Sequence, residues 1–259
     1  CSSDLSMALW YRSGDTWQTI SFARQTEDRN AFLCCGGPSL SLINPKFLNG
    51  PNRTIFGINN IYPFVRPDIW MGMDNPKCFN REMFWEPFVK ILREGFCNTT
   101  IEGKIEINNL SNMYYADVTE TNQADVFTTR DKNIRFIWNW NTFAFALHMI
   151  VWMGYGNIYI FGCDFDNSQK DYYNGVQLND YEKKYNQHLY GQLYKYLQWF
   201  AETSPKYDIH VYSCSENSKI NNFLNKFSIK SNDDASSSIT IKSNRMVKLP
   251  TLKIEEIGR

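Results

Sequence analysis

Short apolar runs alternate with longer amphipathic stretches through the middle of the chain. Six of these runs have the length and composition of a buried β-strand, at 31–35, 54–58, 68–73, 134–138, 157–161 and 208–212. Between them, the pattern predicts helices at about 39–49, 81–95, 142–153, 180–202 and 218–225. Alternation of strands and helices is typical of an α/β protein with a mostly parallel sheet.

Two of the predicted helices have an apolar stripe that we expect to be buried. In the first, at 81–95, the stripe consists of Phe84, Phe88, Ile91 and Leu92. In the second, at 180–202, it consists of Tyr181, Tyr185, Leu189, Leu193, Leu197 and Phe200.

Three segments lack the alternating pattern. Residues 1–29 are weakly patterned and form either a short β-hairpin or a disordered N-terminal extension. The polar stretch 98–133 is expected to be a lid insertion in a single domain that covers 30–229. Residues 230–259 are rich in Ser, Asn and Lys, which indicates a C-terminal tail or a loosely packed terminal strand.

Charge and hydropathy argue against binding driven by net charge and against a membrane span. The 259 residues include 27 basic and 27 acidic side chains, so no net charge attracts the chain to nucleic acid or to an anionic membrane. A local basic patch remains compatible with that balance. The longest apolar run, 143–153, is about half of a bilayer crossing, and no signal-peptide pattern is present. Seven cysteines without a CxxC pair favour a reduced, cytoplasmic protein.

The candidate chemistry lies in the turns that follow the predicted strands. These turns are Gly36 to Ser39, Asn59 and Asn60, Asp74 to Pro76, and Gly162 to Asp166. Ligands bind at the carboxyl ends of parallel strands, where glycine backbone can approach a phosphate and asparagine can bond a base or ribose. Tight turns without any ligand explain the same residues. GxGxxG, GxxxxGK[ST] and HExxH motifs are missing from the sequence, which argues against dinucleotide, P-loop and zinc-protease sites.

Several of these turns resemble motifs of the bacterial family 42 sialyltransferases. The heptapeptide CCGGPSL at 34–40 resembles their Gly-rich turn and the related turn of the MptE-like family. Three further segments follow in the same order, FGINN at 56–60, MDNP at 73–76 and MGYGNIYIFGCDFD at 153–166. The resemblance covers roughly 30–225, although 77–133 matches only in length.

The resemblance implies a fold, a reaction and a set of residues. The fold would be a Rossmann-like three-layer sandwich, a GT-A-like variant. The reaction would be inverting transfer from a nucleotide-sugar donor to a hydroxyl acceptor. The phosphate and ribose would contact Gly36, Gly37, Pro38 and Ser39, and the rest of the donor Asn59, Asn60, Asn75, Asn141 and Thr142. Tyr172, with Tyr173 as the adjacent alternative, would stabilise the departing phosphate, and His188 would be the general base.

Two positions depart from the family pattern. Asp166 stands where relatives carry a phosphate-contacting Tyr, and Asn139 stands where they carry a donor-binding Arg. Arg135 is only a loose substitute for that Arg, so a sialic acid donor is not expected. Asp164 and Asp166 together have the form of a DxD motif, which holds a divalent metal such as Mg²⁺ or Mn²⁺ in other nucleotide-sugar transferases. The open alternatives are a metal-free reaction, with Asp164 as a strand-end cap and Asp166 as a solvated loop residue.

Other functions remain compatible with these residues. The acceptor would be a glycan, a protein or a hydroxymethylated base of phage DNA. A second enzyme class is an MptE-like pyrophosphokinase that uses ATP and Mg²⁺, and a third possibility is a non-catalytic nucleotide- or glycan-binding module. The aromatic surface is compatible with a homo-oligomer. Four further residues are expected to be structural, and they are His148, Trp138, Trp140 and Cys35.

Overall fold

The computed structural model describes residues 9–22, 30–119, 126–128, 135–139, 141–165, 172–215, 217–227 and 252–255. The chain divides into two compact units, and the boundary falls within one strand. Unit 1 comprises Cys1–Gln25, Phe56–Gly154 and Lys248–Arg259. Unit 2 comprises Thr26–Ile55 and Tyr155–Val247.

The described residues form strands, α-helices and short 3₁₀ helices. The strands are β1 (Leu9–Ser13), β2 (Thr16–Phe22), β3 (Asn30–Cys34), β4 (Arg53–Ile58), β5 (Ile69–Gly72), β6 (Val89–Arg93), β7 (Thr100–Ile101), β8 (Ile105–Glu106), β9 (Met113–Ala116), β10 (Val118–Thr119), β11 (Phe136–Ile137), β12 (Asn157–Phe161), β13 (His210–Ser213), β14 (Asn225–Lys226) and β15 (Leu252–Glu255). The α-helices are α1 (Pro45–Leu48), α2 (Thr142–Trp152) and α3 (Asp180–Thr203).

Unit 2 contains a parallel sheet with the strand order β14-β13-β12-β3. Its register pairs Ile158 of β12 with Ala31 of β3 on one side and with Val211 of β13 on the other. Every residue of β3 is buried, which explains why this strand is a continuous apolar run without alternation. The expected parallel α/β architecture is therefore confirmed in this unit.

Unit 1 contains a mixed sheet with the order β4-β5-β6-β9-β1-β2-β15. Strands β4, β5, β6 and β9 are parallel, and β1, β2 and β15 continue the sheet in antiparallel pairing. Strands β1 and β2 form a hairpin, which is the first of the two structures expected for the N-terminal segment. Strand β15 shows that part of the C-terminal segment pairs with β2, as expected for a terminal strand.

The predicted helix at 81–95 is wrong in its second half. A 3₁₀ helix covers Arg81–Trp85, and Val89–Arg93 forms the central strand β6. Pro87 lies between them and cannot continue a helix, because it lacks the backbone N–H and disfavours helical geometry in the residue before it. The apolar residues Ile91 and Leu92 are therefore buried in the sheet.

Two other helix predictions need correction. The expected helix at 39–49 is a 3₁₀ helix, Pro38–Leu42, followed by the single turn α1. In α3, the buried stripe begins only at Leu193 and continues through Tyr196, Leu197 and Phe200. Tyr181 and Tyr185 are 79% and 54% exposed, so no described residue packs closely over this face of the first turns of α3. Periodicity predicts which face is apolar, but it does not show where along a helix packing begins.

Part of the segment 98–133, which was expected to be a lid insertion, belongs to a sheet. Met113–Ala116 is the fully buried strand β9, which pairs with β6 and β1. Short strands β7 and β8 pair with each other before it, and β10 pairs with β11 after it. Residues 120–125 and 129–134 lie outside the described residues.

Helix α2 is deeply buried in unit 1. Its residues from Thr142 to Val151 are all buried, so it is apolar on every side and has no solvent-facing stripe. Among the described residues, no helix has the length and apolar character needed to cross a membrane.

Candidate functional site

The turns after β3 and β12 contact each other closely in unit 2. The backbone N–H of Gly37 donates to the carbonyl oxygen of Gly162 at 2.8 Å. A Cβ atom at Gly37 would lie 2.5 Å from that oxygen, and one at Gly162 would lie 2.3 Å from the carbonyl oxygen of Cys35. Gly162 also has a φ of +63°, which disfavours other residues. Both glycines are therefore required by the contact between the two turns.

Asp164 binds the Gly36–Ser39 turn through its carboxylate. Its Oδ2 atom accepts the backbone N–H of Ser39 at 2.8 Å, and the Ser39 hydroxyl donates to the hydroxyl of Ser215 at 2.9 Å. The hydroxyl of Ser218 donates to the carbonyl oxygen of Cys163. The ends of β3, β12 and β13 are thus connected by polar contacts. The sequence analysis did not identify Ser215 and Ser218.

Tyr172 lies beside Gly36. A Cβ atom at Gly36 would be 3.5 Å from Cδ1 of Tyr172, an ordinary contact distance. The backbone N–H of Tyr173 donates to the carbonyl oxygen of Gly36 at 3.1 Å. Burial raises the pKa of the Tyr173 hydroxyl. The structure therefore brings together Gly36, Tyr172, Tyr173, Ser39 and Asp164, which are distant in sequence.

His188 is exposed on the outer face of α3. Its Nε2 atom lies 3.2 Å from Nε2 of Gln192, one turn later. Gln192 is its one hydrogen-bonding partner within the described residues. The imidazole is therefore open to solvent and to a ligand.

The asparagines that follow β4 belong to unit 1. The carbonyl oxygen of Asn59 accepts the indole N–H of Trp70 at 2.8 Å, and Asn59 has a φ of +55°, which Asn tolerates better than most residues. The side-chain Oδ1 atom of Asn59 is buried and accepts no hydrogen bond from the part of the chain that the structure describes. The side-chain amide of Asn60 donates to the carbonyl oxygen of Cys78 at 3.3 Å.

Asn75 and Asn141 act as helix caps. The side-chain oxygen of Asn75 accepts the N–H of Lys77 at 3.0 Å, and that of Asn141 accepts the N–H of Phe143 at 2.7 Å. Thr142 follows as the buried first residue of α2. In each cap the side-chain oxygen accepts the hydrogen bond. The NH₂ group of the same side chain is therefore the group that can donate to a ligand.

The structure describes both Arg135, the loose substitute for the Arg that the resemblance implies, and Asn139, which stands at the position of that Arg. Arg135 pairs with Asp117 at 2.9 Å, and Asn139 has a φ of +42°. A different cation, Arg93, ends β6 and stacks on Phe96 and on Trp138. Sequence analysis missed Arg93 because it is distant in the chain from Trp138 and falls in the segment predicted to be helical.

Three of the residues that were expected to be structural are buried. Nδ1 of His148 accepts the N–H of Ile137 at 2.9 Å, and burial lowers the pKa of His148 to about 3. Trp138 is buried. Burial also raises the pKa of the Cys35 thiol well above its usual value, with the neighbouring Cys163 contributing in the same direction. A buried, protonated thiol is a poor nucleophile, as expected for Cys35. Trp140 lies outside the described residues.

The structure describes one of the two aspartates of the DxD motif. Asp164 is described, whereas Asp166 lies outside the described residues. Within the described part of the chain, no cluster of three or more His, Cys, Asp or Glu side chains has a metal-binding arrangement. The cysteines that the structure describes, Cys34, Cys35, Cys78, Cys97, Cys163 and Cys214, are all free thiols.

Comparison with known proteins gave structural matches only. No protein-family model matches the chain, and no curated protein matches it. The sialyltransferase CST-II in complex with a trisaccharide acceptor and CMP is 17% identical, with a TM-score of 0.43, over 76% of this chain and 86% of that chain. CstII from Campylobacter jejuni in complex with CMP-3FNeuAc is 17% identical, with a TM-score of 0.45, over the same shares, 76% and 86%. The monofunctional alpha-2,3-sialyltransferase Cst-I from Campylobacter jejuni is 14% identical, with a TM-score of 0.43, over 91% and 88%.

Proposed function

We propose that this protein is a glycosyltransferase that moves a sugar from a nucleotide-activated donor to a hydroxyl acceptor, with inversion at the anomeric carbon. The proposed fold for this reaction is Rossmann-like, with three layers, and of the GT-A kind. The observation that carries the proposal is the packing of Tyr172 against the Gly36–Ser39 turn, at the carboxyl ends of β3 and β12. This edge of a parallel sheet is where α/β proteins bind nucleotides.

The hydrogen bonds of the turn decide which of its groups remain for a nucleotide. The N–H groups of Gly37 and Ser39 are already bonded to Gly162 and Asp164. The carbonyl oxygen of Gly36 accepts the N–H of Tyr173, so the N–H of Gly36 and the ring of Tyr172 are the better candidates for contact with the donor. In this arrangement Gly37 shapes the turn, and the nucleotide lies against Gly36.

The chemistry follows from the charges that develop during transfer. The bond from the anomeric carbon to the phosphate oxygen breaks, and the acceptor oxygen forms the new bond from the opposite side. The Tyr172 hydroxyl would donate a hydrogen bond to the departing phosphate, which carries the negative charge. His188 would take the proton of the acceptor hydroxyl, a task suited to an imidazole at neutral pH. The solvent exposure of His188 supports this role, because an acceptor has to reach it.

Divalent metal is not required for this reaction as proposed. The contact of Asp164 with Ser39 favours the strand-end cap over the metal ligand. A phosphate held by backbone N–H groups and a tyrosine hydroxyl needs no ion. If Asp164 and Asp166 did hold Mg²⁺ or Mn²⁺, the ion would neutralise the leaving phosphate instead. The acceptor, whether glycan, protein or modified DNA base, stays open within this proposal.

The experiment is a thermal-shift panel with CMP, CDP, UDP, GDP, ATP and their sugar derivatives, each with Mn²⁺ and with EDTA. A ligand that binds only the native state raises the melting temperature by mass action, so a nucleotide-sugar donor is expected to raise it in EDTA. A shift with ATP that needs the metal would favour the pyrophosphokinase. No shift with any nucleotide would contradict the proposal and leave a binding module for other ligands.

A further inference from the structure

The guanidinium of Arg93, at the end of β6, lies over two aromatic rings. Its guanidinium carbon lies 4.9 Å from the ring centroid of Phe96 and 4.9 Å from that of Trp138. Both distances are within the range of a cation–π interaction. Stacking of this kind immobilises the guanidinium and leaves its N–H edges open to other partners.

No residue that the structure describes uses these N–H edges. Arg93 makes no hydrogen bond and no ion pair with any residue that the structure describes. Other arginines of unit 1 do, since Arg135 pairs with Asp117 and Arg66 pairs with Glu86. Burial raises the pKa of Asp74, and the charge of Arg93 lowers it by a smaller amount. Asp74 lies beyond ion-pair distance.

The position of Arg93 in the sheet points to a ligand. Gly72 of β5 pairs with Leu92 of β6, so Arg93 is level with the first residue after β5. The turn after β5 contains Asn75, one of the residues expected to contact the donor. Arg93 therefore stands at the carboxyl edge of the parallel strands in unit 1, where ligands of such sheets bind.

We propose that Arg93 is a substrate-binding residue that holds an anionic group, through two parallel N–H to oxygen hydrogen bonds. The planar guanidinium matches the two oxygens of a carboxylate or a phosphate. In a nucleotide-sugar donor, the group is either the phosphate or the carboxylate of an acidic sugar. This inference rests on the proposed function for the identity of the substrate, but the anion site itself does not depend on it.

The site also bears on the departure at Asn139. Arg93 stacks on Trp138, the residue directly before Asn139, although it comes from a different strand. A cation therefore lies near the position at which the resemblance implies an Arg and this sequence has Asn139. An acidic sugar, which the sequence argued against, becomes an acceptable donor when Arg93 supplies the charge.

The first test needs no nucleotide. The Nε–H resonance of Arg93, assigned by its loss in the variant R93M, is followed by NMR while inorganic phosphate or acetate is added to the full chain. Methionine keeps an unbranched apolar side chain for the two rings but has no charge. The expected result is a saturable shift of this resonance with one of the two anions. The absence of a saturable shift with both anions would overturn the proposal.

The second test identifies the source of the anion by comparing wild type with R93M, R93K and R66Q. Arg66 is a matched control, because it is an exposed arginine of the same unit that is already paired with Glu86. We expect R93M to bind its ligand about tenfold or more weakly, R93K to recover only part of that loss, and R66Q to bind normally. The probes are CMP, CMP-sialic acid, UDP-glucose and UDP-glucuronic acid.

The pattern of losses separates the outcomes. An equal loss with CMP and with the sugar nucleotides assigns Arg93 to the phosphate. A loss confined to the two acidic sugars assigns it to their carboxylate. Unchanged affinity of R93M for a probe that wild type binds would overturn the inference. If wild type binds no nucleotide, the proposed function fails, and the anion titration still decides the role of Arg93.

Discussion

The backbone N–H of Ser39 donates to the carboxylate of Asp164 at 2.8 Å, which joins the turn after β3 to the turn after β12. Each of these turns follows a buried strand, and the strands are neighbours in register. The contact occupies one oxygen of a carboxylate that has the sequence form of a metal ligand. Asp164 therefore holds the two turns together, and this contribution to stability can be measured.

Removal of this hydrogen bond is expected to destabilise the protein. D164A leaves the N–H of Ser39 without its acceptor, at a cost of about 1–3 kcal/mol in the free energy of unfolding. D164N retains an oxygen acceptor and is expected to lose less than half as much. Urea unfolding of both variants measures the difference. Equal losses in the two variants, together with destabilisation of wild type by EDTA, would indicate that the charge binds a metal.

The two glycines of the turn are expected to respond differently to the same substitution. G37A places a methyl group 2.5 Å from the carbonyl oxygen of Gly162, so the turns have to separate. Overpacking of this kind costs about 1–3 kcal/mol. G36A places the methyl group 3.5 Å from Tyr172, an ordinary contact, and serves as the control. Differential scanning calorimetry compares the melting temperatures. Similar temperatures for both variants would contradict the close contact of the turns.

Removal of the proposed general base is expected to abolish transfer and to preserve binding. H188A loses the group that accepts the proton of the acceptor, which typically contributes about 10²–10⁴-fold to the rate. The control is H210A, because His210 is an exposed histidine at the amino end of β13, the opposite end from the site. Transfer rates and nucleotide affinity are measured for both. A fully active H188A would exclude His188 as the base.

Acid is expected to destabilise the protein through His148. The native pKa is lowered to about 3, whereas an unfolded histidine titrates near 6.5. Between these values the unfolded state binds a proton that the native state does not, so stability falls as the pH decreases from about 6.5 towards 3. The loss between about pH 7.5 and pH 5.5 is about 1.4 kcal/mol.

The variant H148Q isolates this effect. Its amide oxygen can accept the N–H of Ile137 as Nδ1 does, but it does not titrate. Chemical denaturation at the two pH values should therefore show a smaller pH dependence for H148Q than for wild type. The same pH dependence in both proteins would show that other groups are responsible.

The strands were predictable from the sequence wherever burial on both faces leaves a continuous apolar run. The run at 31–35 became β3, that at 157–161 became β12, and Gly or Asn marked where these strands end. Helix α2 was predictable for a similar reason, because its residues are apolar on every side. The contrast is β6, whose residues also fit a helical stripe, and only the pairing with β5 and β9 decided between the two periods.

The candidate site shows the same division. The sequence by itself determined that Gly36, Gly37, Ser39 and Asp164 lie in turns at the carboxyl ends of strands, since local composition and chain order fix the ends of buried strands. Only the tertiary structure decided what these residues do to each other. The contact of Ser39 with Asp164 and the stacking of Arg93 on Trp138 join positions far apart in the chain. Such contacts depend on which strands become neighbours, and no local pattern of hydrophobic and polar residues encodes that order.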